Sequence, residues 1–150
     1  MSSTWSLLER FEITDESGAP QFEARGHIGS QITLHDNSGR EVADIRKQVF
    51  GDTHEVYLAG QPAAQVRHVG FLGDRYEIDT SFGPLTARGS FGGNYTLDQG
   101  GAPVASMVRQ FSLREQFAIE IADGQNDALV LAVMLAVEAI HDRRRRRRSM

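Results

Sequence analysis

Six consecutive arginines, Arg143, Arg144, Arg145, Arg146, Arg147 and Arg148, carry the strongest chemical signal in this chain. Such a run binds anionic lipid head groups, each basic residue close to a membrane being worth roughly 1 kcal/mol. Nucleic-acid phosphate is a second target, with steep salt dependence. The plain alternative is a solvated tail whose first arginines complement the negative C-terminal end of a helix. Net charge is −4, and the six arginines contribute +6, so residues 1–142 alone carry −10. An acidic body repels phosphate unless its charges are segregated, which disfavours nucleic acid as a partner. A second basic set comprises Arg25, Arg46, Lys47, Arg67, Arg88 and Arg109. Of these, Arg46, Lys47 and Arg109 join the arginine run as candidate lipid-binding residues. Against that stands the bland reading of strand charges that keep edges and faces soluble.

Catalytic and metal-ligating types are dispersed. His27, His35, His54, His68 and His141 show no H-E-x-x-H or related spacing, so no metal site is expected. The chain contains no cysteine, which removes disulfides and thiolate chemistry and suits a reducing cytoplasm. The acid pair Asp15-Glu16 sits in a turn, where Asp satisfies local backbone donors. No G-x-S-x-G nucleophile motif occurs. Phe91-Gly92-Gly93-Asn94 is not followed by a helix and reads as a hairpin turn, not a phosphate loop. These residues predict neither an enzyme nor a cofactor.

The elements that must carry the charges are mainly β. Residues 1–125 alternate with period two between Gly, Asp and Asn turn signals, as in Phe117-Ala118-Ile119-Glu120-Ile121 and Arg75-Tyr76-Glu77-Ile78-Asp79. Turns are signalled at Asp15-Glu16-Ser17-Gly18, Asp36-Asn37-Ser38-Gly39, Ala59-Gly60, Phe82-Gly83 and Gln99-Gly100-Gly101. The sequence also repeats. WSLLERFEIT (5–14) aligns with GFLGDRYEID (70–79), FEARG (22–26) with LTARG (85–89), and VADIRKQ (42–48) with VASMVRQ (104–110). The halves fall at about 5–62 and 70–122, each with five strands, and Ala63 to Val69 adds one more. Arg25 and Arg88 are equivalent in this alignment, and Arg46 and Arg109 nearly so.

After Gly124 the pattern changes to ALVLAVMLAVEAI (128–140), whose only charge is Glu138. A helix apolar all round lies inside a protein or a bilayer. Spanning a bilayer takes about 20 apolar residues, so this run reads as a buried core helix over about 126–141 and not a transmembrane segment. No signal peptide is evident at the N-terminus. Eleven or twelve antiparallel strands avoid exposed edges by closing into a barrel, and a barrel of that size encloses more space than its own side chains fill. Threading the helix through it resolves both problems. The inward stripe is expected to include Phe11, Ile13, Phe22, Ile32, Leu34, Ile45, Val56, Leu58, Val66, Tyr76, Ile78, Leu85, Leu97, Met107, Phe117, Ile119 and Ile121. Glu138, one turn from the helix end, is expected to reach the barrel mouth or to pair with a basic strand residue.

The order of repeated hairpins followed by ADGQNDALVLAVMLAVEAIHD (122–142) resembles the LURP-one-related family, which is similar in fold to the tubby C-terminal domain and the phospholipid scramblases. The resemblance spans nearly the whole chain, including WSLLERFEI at its start and VRQFSLREQFAIEIADG before the helix. It implies a closed antiparallel barrel of about twelve strands around a central C-terminal helix, and it brings no catalytic residues. One domain, 1–142, is therefore expected, followed by a disordered Arg-rich tail, 143–150. The function implied is that of a non-enzymatic cytoplasmic binding or scaffolding module, peripheral to the membrane, with anionic phospholipid or a protein as partner. The alternatives are a scramblase-like membrane protein, and a small-molecule carrier or enzyme with a cavity beside the helix.

Overall fold

The computed structural model of the chain describes residues 2–8, 12–27, 31–48, 53–69, 75–90, 94–110 and 116–148. Among these residues it is mainly β, with one antiparallel sheet and a single C-terminal helix. The strands are β1 (Ser2–Leu8), β2 (Glu12–Thr14), β3 (Pro20–His27), β4 (Gln31–Asp36), β5 (Glu41–Lys47) and β6 (Thr53–Leu58). They continue as β7 (Gln61–Val69), β8 (Arg75–Thr80), β9 (Gly83–Ser90), β10 (Asn94–Gln99), β11 (Ala102–Gln110) and β12 (Gln116–Ala122). Consecutive strands pair, and β1 lies between β12 and β2, so the order returns on itself as a closed barrel. The joint is uneven. β1 pairs with β12 from Ser2↔Ala122 to Leu8↔Gln116, but with β2 only from Ser6↔Thr14 to Leu8↔Glu12.

The alternation of residue types decides which side of each strand faces inward. In β12, Phe117, Ile119 and Ile121 are buried while Glu120 is exposed. Every residue of the expected inward stripe that the structure describes is buried or packs against the buried cluster. Phe11 and the glycine-rich turn at 91–93 lie outside the described residues.

Pairing also corrects the repeat boundaries. β7 pairs with β8 through Val66↔Ile78 as β1 pairs with β2 through Leu7↔Ile13. The segment read as an addition to the first half is thus the first strand of the second, and each half supplies six strands. Further along, the halves keep a common register: Lys47↔His54 and Asp44↔Tyr57 on β5–β6 match Arg109↔Phe117 and Ser106↔Glu120 on β11–β12. The register shift at Leu34/His35 likewise recurs at Leu97/Asp98.

Helix α1 (Asp127–Arg148) starts at Asn126, whose side-chain oxygen accepts the Leu129 N–H at 3.1 Å, an N-cap. Residues Leu129 to Glu138 and Ile140 are all buried, which requires protein on every side of the helix. The helix does not stop near residue 141. Its backbone runs on through Arg148, so the expected disordered tail is helical at 143–148, although those side chains lie outside the described residues. A buried, fully hydrogen-bonded rod carries its helical geometry outward, since adding a residue to an existing helix costs far less than starting one. No helix among the described residues is long and apolar enough to cross a membrane.

Candidate functional site

Antiparallel connectivity gives the barrel two chemically distinct ends. The connections after odd-numbered strands lie at one end, and those after even-numbered strands at the other. α1 follows β12, so it enters at the second end. Near its start it lines a cleft with Phe82 of the β8–β9 turn. Near its finish the His141 ring lies 5.6 Å from that of Tyr95, the second residue of β10. It therefore spans the barrel and leaves at the first end.

Basic side chains gather at that exit end. Arg25, Arg46, Lys47, Arg67, Arg75, Arg88 and Arg109 all fall within three residues of the strand ends there, and Arg143 to Arg148 extend the helix beyond it. Among the described residues, Arg40 alone is basic at the entry end. That end carries Asp15, Glu16, Asp36, Glu41, Asp79, Asp98, Glu120, Asp123 and Asp127. Carboxylates stand at the exit end as well, Glu12, Asp44, Glu55 and Glu77 lying within three residues of the strand ends there, so among the described residues it is the basic side chains that are segregated.

The strand candidates do not form one pocket. β5 and β11 stand six strands apart in a ring of twelve, so Arg46 and Lys47 face Arg109 across the full barrel. Arg46 and Arg109 are not equivalents either, because register matches Arg109 to Lys47 and Arg46 to Val108. Lys47 and Arg109 share the inward parity of Ile45 and Met107 and are half-buried at the rim. The Arg109 guanidinium sits 5.7 Å from the centre of the Phe117 ring, and the Arg109 backbone N–H donates to Asn94 Oδ1 at 2.9 Å.

Arg46 points outward and is already occupied. Its Nε and NH2 each reach Asp44 Oδ2 at 2.8 Å, and its guanidinium covers the Tyr57 ring at 4.9 Å. Asp44 is buried by this arrangement and also accepts from Gln31 Nε2 at 2.9 Å. Hydrogen bonding to Asp44, reinforced by its charge, holds the Arg46 pKa above the ordinary value. The Tyr57 hydroxyl donates to Glu55 at 2.6 Å, which pushes its pKa up. Arg25 and Arg67 are committed in the same way, to Glu23 and to Glu77, each at 2.8 Å. These arginines pair with carboxylates on their own wall.

Arg75 and Arg88 behave differently. They are directly opposite each other on β8 and β9, both are exposed, and among the described residues neither has an ion-pair partner. Like charges placed opposite destabilise a sheet. A local rule broken without visible compensation marks a site that serves something other than stability. The sequence reading included Arg88 but missed Arg75. Counting residues across the β8–β9 turn would have revealed the pair.

Inside the exit end, a layer of polar rings separates the apolar core from the basic rim. His68 and Tyr76 lie 5.3 Å apart, Tyr76 and Tyr95 5.9 Å, and Tyr95 and His141 5.6 Å, all close to edge-on. His54 and Glu138 are buried in the same region of the chain ends, 4% and 8% exposed. Glu138 therefore does not open freely onto the mouth. The histidines that looked scattered are partly gathered by the fold, since inward parity on β7 and position on α1 bring His68 and His141 to one layer. Among the described residues, no group of three or more His, Cys, Asp or Glu can hold a metal ion.

A barrel filled by its own terminal helix and basic around that helix's exit defines a mainly β domain whose open chemistry lies at its ends and outer wall. A family model described as LURP-one-related matches residues 2–138, and the chain belongs to that family. An X-ray structure of a protein from Arabidopsis thaliana is similar, with 16% identity and a TM-score of 0.74 over 93% of this chain and 91% of that one. At that identity the likeness is one of fold alone. No curated protein matches the chain.

Proposed function

We propose that the chain is a non-enzymatic cytoplasmic binding module that docks its basic end onto anionic phospholipid. The observation that supports this reading is the segregation of charge, with every described basic residue except Arg40 near the helix exit. The uncompensated Arg75–Arg88 pair adds to it. Docking in this orientation turns the acidic end away from the surface and removes the repulsion implied by the −10 of residues 1–142. At roughly 1 kcal/mol per basic residue near the surface, the six terminal arginines supply most of the attraction.

Co-sedimentation with phosphatidylcholine vesicles, with and without phosphatidylserine, tests the proposal. The full chain should bind only the anionic vesicles, and weaken as salt rises. Replacing Arg143 to Arg148 by glutamine should reduce binding at least tenfold, on the same per-residue scale. Arg75→Gln with Arg88→Gln should reduce it several-fold. Equal, negligible binding by the full chain and its variants would remove the proposal. Lipid translocation is a poorer reading, because α1 would have to leave the barrel. Exposing its eight large apolar side chains, from Leu129 to Ile140, costs on the order of 12–24 kcal/mol.

A further inference from the structure

The two halves of the barrel carry matching rows of side chains on the outer wall near the helix exit. In the first half the row runs from Arg25 on β3 to Thr33 on β4 and Asp44 on β5. In the second it runs from Arg88 on β9 to Thr96 on β10 and Ser106 on β11. Alignment of FEARG with LTARG also sets Thr86 where the first half has Glu23. Two carboxylates of the first half, Glu23 and Asp44, are thus hydroxyls in the second.

Those carboxylates hold the first row closed. Arg25 Nε donates to Glu23 Oε1 at 2.8 Å, and Thr33 Oγ1 donates to the Arg25 carbonyl at 3.3 Å. Asp44 is engaged by Arg46. The second row is open. Arg88 and Thr96 are exposed, and among the described residues neither side chain has a bonding partner. Arg75 stands directly opposite Arg88, is equally exposed, and has no ion-pair partner among those residues. The two carboxylates that follow it along β8, Glu77 and Asp79, both turn to Arg67, at 2.8 and 3.9 Å. Arg10, which aligns with Arg75, lies outside the described residues.

Directly opposite residues of an antiparallel pair have Cβ atoms about 4.5–5.5 Å apart, so one anion can be shared by both guanidinium forks. A phosphomonoester brings three acceptor oxygens and a charge of about −1.5 to −2 at neutral pH, close to the charge of the pair. A carboxylate or a phosphodiester, with a single negative charge, leaves half of it uncancelled. Thr96, next in the row beyond Arg88, adds a neutral donor on the same face.

We infer that Arg75, Arg88 and Thr96 form a binding site for a phosphomonoester dianion, carried by a lipid head group or by a small soluble molecule. Resting on the docking reading for its place at the basic end, this site adds the chemical group that the strand wall selects. The second half lacks the carboxylates by which the first half neutralises itself, and a dianion supplies what they would.

The test uses the full chain with arginine side chains labelled for NMR, titrated with glycerol phosphate and, as a monoanionic control, methyl sulfate. Glycerol phosphate should shift the Arg75 and Arg88 Nε–H signals saturably, and bind at least tenfold more tightly than the sulfate. Thr86→Glu keeps both arginines but restores the first-half carboxylate beside Arg88. It should weaken binding at least tenfold, and so should Arg88→Gln. For the lipid source, phosphatidylcholine vesicles containing phosphatidic acid are compared with phosphatidylglycerol vesicles of equal surface charge. Preference for phosphatidic acid, lost in Thr86→Glu, makes the source a lipid head group, whereas binding of glycerol phosphate alone makes it a soluble molecule. No saturable shift at Arg75 and Arg88 from either source, or undiminished binding by a folded Thr86→Glu protein, would overturn the inference. Binding of phosphatidylserine vesicles through Arg143 to Arg148 would survive that result, so the two readings fail separately. If Thr86→Glu fails to fold, Arg88→Gln and the signals of the unaltered chain decide.

Discussion

The two ends of the barrel are made by the same kind of strand connection, yet they have opposite chemistry. At the helix exit the strand ends carry arginine and lysine around a collar of His and Tyr rings. At the entry end the turns are built on aspartate. The entry turns show why acid accumulates there. Asp15 Oδ1 accepts from Ser17 N–H, Ser17 Oγ and Ala19 N–H, and Asp36 Oδ1 from Ser38 N–H, Ser38 Oγ and Arg40 N–H. Each carboxylate closes a tight hairpin by replacing backbone partners that the turn cannot supply. The aspartates of these turns have a structural use, whereas the Arg75–Arg88 pair has no ion-pair partner among the described residues. Charge is committed to the fold at both ends, by the Asp turns at the entry and by the Arg46–Asp44 and Arg67–Glu77 pairs at the exit, and the exposed Arg75–Arg88 pair has no counterpart of this kind.

Removing α1 is the most severe way to break that comparison, because the helix connects both ends. A chain ending at Gly124 keeps every strand but loses the filling of the barrel. It should aggregate, since closure of so non-local a sheet depends on this last segment. Soluble, cooperatively melting protein from that truncation would show that strands alone hold the ends in place. A milder cut is Leu131→Ala, at a position with no exposure. It should cost about 2–5 kcal/mol in urea unfolding, from lost burial and the cavity left behind. It should also leave the charge-dependent binding of the intact fold unchanged.

The entry end is tested by acid. Hydrogen bonding from Ser17, then from Ala19, Gln21 and the Ser17 backbone, holds the Asp15 carboxyl below its ordinary pKa. Asp36 is lowered likewise, first by the Ser38 hydroxyl and then by the Arg40 N–H. A folded-state pKa below the unfolded one gives stability that is complete above the unfolded value. That stability is lost as pH falls through the folded value. The turns should therefore contribute fully above about pH 4 and fade below it. Asp36→Asn should lower the melting temperature by a few degrees at neutral pH and make little difference in strong acid. The same loss at both pH values would assign the turn's stability to shape and not to charge.

Legibility in the sequence followed the range of the interaction. Alternation in segments such as Phe117 to Ile121 exposed the inward faces, because burial acts on each residue with period two. The run Leu129 to Ile140 exposed the buried helix for a similar reason. The Asp-x-Ser-Gly turns were readable because their bonds close within four residues. Features joining distant segments were less accessible. Register put Arg75 beside Arg88 and Arg109 in the place of Lys47. Helix direction brought His141 to Tyr95.

By itself, then, the sequence determined a mainly β protein of duplicated hairpins, a helix that must be enclosed, and an acidic body with a basic terminus. These are sums and local patterns, fixed by which residues occur and how often they recur. Only the tertiary structure decided which charges are neighbours. Antiparallel pairing sends every odd-numbered connection to one end and every even-numbered one to the other. Charges far apart in the chain therefore collect at the same end, and among the described residues every Lys and Arg except Arg40 is brought to the helix exit.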